Sequence, residues 1–188
     1  LNWSGGLMSG AGVTTVSGTA SINGASDKDL DRTLNLGGAT IWTGSGSIRM
    51  LSTAFIDVQS TGVFEVQNDA SLSLGNGIAG AVFNNAGIFR KSVGTSVTSV
   101  NVTFNNSGAV EVQTGTLSLS GGGVGTGSYS VSANAVLRFS GGTHSLTSSA
   151  NLNGAGTLEI TDGTLNHPGI YSISGSTKIT GGSGNWTG

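Results

Sequence analysis

The feature that most constrains this chain is a phrase that keeps returning. Phe83-Asn84-Asn85-Ala86-Gly87 recurs 21 residues later as Phe104-Asn105-Asn106-Ser107-Gly108, and each copy opens a run of the form Gly-x-apolar-x-apolar, as in Gly108-Ala109-Val110-Glu111-Val112. Looser copies are anchored at Gly12, Gly38, Gly62, Gly87, Gly108, Asn134 (in the place of Gly), Gly156 and Gly175, in steps of 19 to 26 residues. A second short run follows several anchors, as in Gly115-Thr116-Leu117-Ser118-Leu119 and Gly163-Thr164-Leu165, and a third precedes the next, as in Tyr129-Ser130-Val131. Alternation over four or five residues marks a half-buried strand, and a near-constant period marks stacked repeats. The pattern predicts an all-β chain: a right-handed parallel β-helix (β-solenoid) of about eight coils of three short strands, filling residues 1–188 as a single segment. At ~4.8 Å per coil the rod is roughly 38 Å long.

Composition removes the competing classes. Gly, Ser, Thr and Asn together supply 99 of 188 residues, and the longest stretch without Gly, Ser47 to Thr61, carries no helical stripe. Those residue types are poor helix formers, so a helical bundle is excluded. Disorder is excluded by a 36% apolar content, a mean hydropathy of +0.12 and a net charge of only -2, the reverse of the charged, apolar-poor signature. A pI near 5.5 leaves no basic footprint for nucleic acid. No run approaches the ~18 apolar residues of a membrane span. With no Cys there are neither disulfide staples nor thiolate metal sites.

Alternation assigns faces. Val110 and Val112, Phe64 and Val66, Leu158 and Ile160 are expected to point inward. Asn84 over Asn105 and Asn85 over Asn106 are expected to stack coil on coil as amide ladders. The third residue after successive anchors gives Glu65, Arg90, Glu111, Glu159 and Lys178, with Arg138 one place further on in its coil. Taken as one outward column, these alternate in sign, which favours strand pairing. The ends add a longer period. Asn2-Trp3-Ser4-Gly5 returns as Asn185-Trp186-Thr187-Gly188, 183 residues on, and the chain starts at Leu1 rather than Met. This predicts about one 183-residue period of a longer tandem array, with Trp3 and Trp186 as one repeated packing position.

Several phrases resemble a known kind of sequence: NWSGGLMSGAGVTTV, RTLNLGGATIW, FEVQNDASLS, FNNAGIFRKSVG, FNNSGAVEVQTGTLSLSGGG, LRFSGGTHSL and LNGAGTLEI. They resemble the long tandem repeats of giant bacterial surface proteins, adhesin-like, in the style of filamentous haemagglutinin and autotransporter passenger domains. The resemblance covers nearly the whole chain. It implies a right-handed parallel β-helix, export to the bacterial cell surface or beyond, and a structural or adhesive role with copies stacked end to end and surface glycans as a possible partner class. It assigns no catalytic residue.

Chemistry-bearing residues are few. Asp27-Lys28-Asp29-Leu30-Asp31 spells the D-x-D-x-D opening of a calcium loop, but Arg32 stands where Gly is needed and Gly38 where the closing Glu belongs; a solvated loop between coils is expected. His144 and His167 fall in different coils without a nearby Cys or carboxylate, and surface positions are expected. Gly121-Gly122-Gly123-Val124-Gly125 lacks the Lys of a phosphate loop and reads as a flexible turn. Asn2, Asn101, Asn105 and Asn185 head N-x-S/T sequons. Trp3, Trp42 and Trp186 would stack on sugars if exposed, and Trp42 lies in the inward phase. No catalytic, cofactor or metal residue is assigned. The expected function is a structural module of a fibrous surface protein. Its rival is a carbohydrate-binding or carbohydrate-active β-helix; the active kind needs clustered carboxylates or an Arg/Lys base in a cleft made by long loops. Ice binding finds no T-x-T column in the sequence.

Overall fold

Runs of four alternating residues broken by Gly, Asn and Ser have one way to bury their apolar positions without helices: each run pairs with its equivalent in the next coil. The computed structural model describes residues 1–51, 53–75, 77 and 80–187 and shows this arrangement. The described residues form 23 strands and no helix. Nine of them make one sheet: Asn2–Trp3, Ala20–Ile22, Ala39–Trp42, Val63–Val66, Ile88–Lys91, Ala109–Val112, Ser128–Val131, Asn151–Gly154 and Ile170–Ile173. The other 14 form a second sheet made of two rows, because four long strands (Gly6–Val16, Lys28–Leu36, Val136–Leu146 and Thr157–His167) run through both. Every pairing joins parallel strands of neighbouring coils, as in Phe64↔Phe89↔Val110↔Tyr129. The chain is a β-solenoid with three rows of strands and about nine turns.

Nine turns replace the expected eight, and the reason is local. The anchor list mixes two corners. Gly38, Gly62, Gly87 and Gly108 precede strands of the first row, whereas Asn134, Gly156 and Gly175 precede strands of the second row. Both corners are followed by the same alternating run, so the 26-residue step from Gly108 to Asn134 covers one coil, up to Gly127, and one further row of the next, whereas the uncounted coil is that of Ala20–Ile22, passed over in the 26-residue step from Gly12 to Gly38. The corners also need their residues for different reasons. Asn134 has φ 68°, the left-handed conformation that Gly or Asn tolerates. Gly108 is not left-handed. A Cβ there would collide with the carbonyl of Gly87 in the coil below, as a Cβ on Gly87 would with Gly62.

The predicted inward residues are inward. Val110, Val112, Phe64, Val66, Leu158 and Ile160 are buried, and Trp42 has no exposed surface. Stacking similar positions at the strand spacing builds an aromatic spine. Phe64 lies over Phe89 with ring centroids 5.6 Å apart, Phe83 over Phe104 at 5.4 Å, and Phe64 meets Phe83 edge to face at 5.3 Å, geometries that add to simple burial.

Other expectations need correction. Gly123–Gly125 is a strand of the third row, not a flexible turn, and a Cβ at Gly123 would strike the Phe104 carbonyl. The stretch from Asp27 to Asp31 is not a loop either, since Lys28–Leu36 is one strand. The two tetrapeptides at the ends also stand in different rows. Asn2–Trp3 pairs with Ser21 and Ile22 in the first row, whereas Asn185 and Trp186 pair with Asn166 and His167 in the third. They do not share one coil position. Gly188, the last residue of that match, lies outside the described residues.

Candidate functional site

The expected column of alternating charge is two triplets on different faces. Glu65, Arg90 and Glu111 are in register on the first row, with Arg90 2.7 Å from Glu111 and 3.9 Å from Glu65. Arg138, Glu159 and Lys178 are in register on the second row, with Arg138 2.7 Å from Glu159. The error follows from the mixed anchors. The principle of alternation holds within each triplet, and each of the three glutamates faces a base. Hydrogen bonds from Ser92 (2.6 Å) and Gln67 (3.1 Å) hold the Glu65 carboxyl below the usual range, aided by the nearby Arg90. A carboxylate pair for acid–base chemistry needs one member kept protonated, and the bonds to Glu65 favour its ionised form instead.

The acidic run is occupied by its own neighbours. Arg49 donates to both oxygens of Asp29 at 2.6 and 2.8 Å and lies 3.4 Å from Asp27. Asp27 also accepts from the Ser47 amide at 2.9 Å, and Asp31 accepts from the Thr53 hydroxyl at 2.8 Å. Lys28 and Leu30 point inward between these acids. Among the described residues no three His, Asp or Glu side chains converge on a point.

The amide ladders form as expected. Asn84 donates to Asp57 at 2.7 Å, Asn105 donates to Asn84 at 2.9 Å, and the Val124 amide donates to Asn105 at 3.0 Å along the outer face. Inside, Asn85 donates to Asn106 at 2.8 Å and to the Ala109 carbonyl at 2.9 Å. The four sequon asparagines are all tied between coils: Asn2 to Asn23, Asn101 to Ser120, Asn105 to Asn84 and Asn185 to Asn166. Trp3 and Trp42 are core side chains, so neither offers a face to a sugar.

Two buried lysines escaped the sequence reading. Four first-to-second-row corners, residues 23–27, 43–47, 67–71 and 92–96, are each five residues long. Lys28 and Lys91 fill the space behind them, both without exposed surface. Lys28 Nζ donates to the carbonyls of Gly24 (3.2 Å) and Gly46 (3.4 Å), and burial pushes its ammonium below the ordinary lysine value against the pull of Asp27. Lys91 Nζ has Asp69 Oδ1 at 2.8 Å, the Asn68 carbonyl at 2.9 Å and Thr98 Oγ1 at 3.0 Å. The signal was present: alternation with Phe89 and Leu30 places both lysines inward.

The histidines are also interior, contrary to expectation. His144 is packed edge-on against Phe139 at 4.7 Å, and His167 bonds through Nε2 to the Ile170 carbonyl at 3.0 Å. Burial pushes the His144 imidazole down to about 4 and lowers that of His167 as well. The unfolded chain therefore takes up protons that the folded one refuses, and stability falls as pH drops from about 6.5 towards about 4. His144 alone contributes a loss of roughly 3 kcal/mol at ~1.4 kcal/mol per pKa unit. Urea unfolding of the protein and of His144→Phe at about pH 7 and about pH 4.5 tests this. The variant should lose distinctly less stability between the two conditions. An equal loss would place the titrating group elsewhere.

Comparison with family models, with curated proteins and with solved structures finds no match to this chain.

Proposed function

We propose that this chain is a structural repeat module of a secreted or cell-surface fibrous protein of adhesin type, working as a rod in which further coils or copies stack along the axis. The observation that carries the reading is the use made of its polar side chains. Amide ladders, hydroxyl pairs and ion triplets join one coil to the next rather than converge on a cleft. Such a body resists bending and extension, because each coil is held to the next by backbone and side-chain bonds along three rows. The low net charge and Ser/Thr/Asn-rich surface suit an exported fibre, and the resemblance to bacterial surface repeats points the same way.

In this reading the chain is not an enzyme. Glu65 and Glu111 face each other across Arg90, and the acids of the 27–31 run are taken up by Arg49 and Thr53. The test has two arms. Small-angle scattering and light scattering on the isolated chain should give an elongated particle, with larger species at high concentration formed by coil-on-coil stacking. Incubation with polyuronides and neutral glycans should leave their chain lengths unchanged. Depolymerisation of any of them would replace this reading with the carbohydrate-active one.

A further inference from the structure

Three of the four arginines are held by carboxylates: Arg49 by Asp27 and Asp29, Arg90 by Glu65 and Glu111, and Arg138 by Glu159. Arg32 is the exception among the described residues. Its position is unusual in the ladder. Gly6–Val16 pairs with Lys28–Leu36 on both sides of a break, Ser9 with Asp31 and Val13 with Thr33. Three residues of the first coil, Gly10, Ala11 and Gly12, therefore arch over a single residue of the second, Arg32. Such bulges re-aim a side chain. The guanidinium is fixed from one side by Nη1 donating to the Ser9 carbonyl at 3.2 Å, while Nε is shielded from solvent without any acceptor.

The space beside it is a cleft of about 400 Å³ bounded by the arch, Arg32, Thr33, Asp31 and Thr53. Gly10 and Gly12 have φ 96° and 109°, a conformation that favours glycine, and a Cβ on Gly12 would lie in ordinary contact with Arg32 Nη2 at 3.7 Å. The glycines of the arch thus keep bulk away from Nη2. We propose that this cleft is a binding site for an acidic saccharide, with the carboxylate of a uronic acid residue on the Arg32 guanidinium. A carboxylate oxygen matches the free N–H groups of Nη2, the guanidinium nitrogen that is neither bonded to Ser9 nor shielded beneath the arch. The Asp31 carboxylate, already holding Thr53, and the hydroxyls of Thr33 and Thr53 supply acceptors and donors for ring hydroxyls. Asp31 also sets the selectivity. With a carboxylate next to the arginine the cleft carries little net positive charge, so a compact multivalent anion such as phosphate gains little there. A single negative charge on a hydroxyl-bearing ring matches both groups. The site does not depend on where the chain is displayed or on whether its copies stack.

Calorimetric titration with a short oligogalacturonate, a neutral galacto-oligosaccharide of the same length and inorganic phosphate tests the proposal. The uronate should bind, with the neutral sugar and phosphate weaker by roughly tenfold or more, the scale of a hydrogen-bonded charge pair. Arg32→Gln should lose binding by at least that factor. Lys178→Gln, which removes one positive charge from the second row far from the cleft, should bind as the parent does. If Arg32→Gln melts early, Arg32→Lys keeps the charge without the guanidinium and should show the same direction of loss. Absence of uronate binding, equal binding of phosphate or the neutral sugar, unchanged binding in the Arg32 variant, or equal weakening by Lys178→Gln would each overturn the assignment.

Discussion

Val110→Asp is expected to abolish cooperative folding, whereas Glu111→Ala one residue away is expected to be almost silent. Val110 has no exposed surface and sits in register between Phe89 and Tyr129 in the first row. The nearest interior base and amide donors, Lys91, Asn85 and Asn106, are already bonded to other acceptors, and burying an unpaired charge costs several kcal/mol even after its pKa has shifted. In a body where each coil contacts only its neighbours, a defect in the middle coil uncouples the two halves as well. Glu111 lies on the opposite face. Its loss removes the 2.7 Å bond from Arg90, which keeps Glu65 at 3.9 Å. A part-exposed pair of this kind is worth about 0.2–1 kcal/mol. Circular dichroism melts of both variants decide the matter. A large loss for Glu111→Ala, or a small one for Val110→Asp, would reverse the assigned faces.

That contrast was legible in the sequence because alternation is a local property. Val110 and Val112 flank Glu111, and four residues are enough to assign an inner and an outer side. The amide ladders were legible for the same reason, since two copies of one phrase 21 residues apart must stack if the fold is a solenoid. Row identity was not legible. The runs after Gly108 and after Asn134 read alike, although one opens the first row and the other the second, and only pairing partners tell them apart. This merged two charge triplets into one column, while the step from Gly12, inside the first long strand, to Gly38 passed over the coil of Ala20–Ile22. The histidines and lysines failed differently. Leu165 and His167 share the inward phase, as do Phe89 and Lys91, so the pattern placed them correctly while their polarity argued for the surface. Burial was settled by partners the pattern does not show: the Ile170 carbonyl three residues on for His167, and a corner from the preceding coil for Lys91. The cleft at Arg32 had no sequence signal, because a three-against-one bulge is a property of the pairing and not of either strand.

Asp69→Ala is expected to be the most damaging substitution at any partly exposed side chain of the protein. Lys91 enters the interior from the first row and returns its ammonium to the corner made by residues 67–71 and 92–96. There the Asn68 carbonyl, Thr98 Oγ1 and the Val93 carbonyl accept alongside Asp69, and among the described residues Asp69 is the sole carboxylate within bonding distance. The corner is shaped around this contact, since a Cβ on Gly94 would collide with the Asp69 carboxylate. Removing the carboxylate leaves a buried cation held by neutral oxygens alone, a change that costs about 3–5 kcal/mol where the site is dry. The outer side of Asp69 meets water, which places the expected loss at about 3 kcal/mol, the lower end of that range. Lys91→Met removes the charge and keeps the stem, so it should cost only the unpaired carbonyls it leaves, about 1–3 kcal/mol. The double variant should then be no less stable than Asp69→Ala alone, because the buried cation that Asp69→Ala leaves without its carboxylate is gone. A double-mutant cycle by urea unfolding reads the difference as a coupling energy above ~1 kcal/mol. Raising the salt to ~1 M should leave this coupling nearly intact, whereas the same cycle on the more exposed Arg138–Glu159 pair should shrink. Additive single losses would mean that Lys91 is held by the carbonyls and Thr98, with Asp69 only a neighbour.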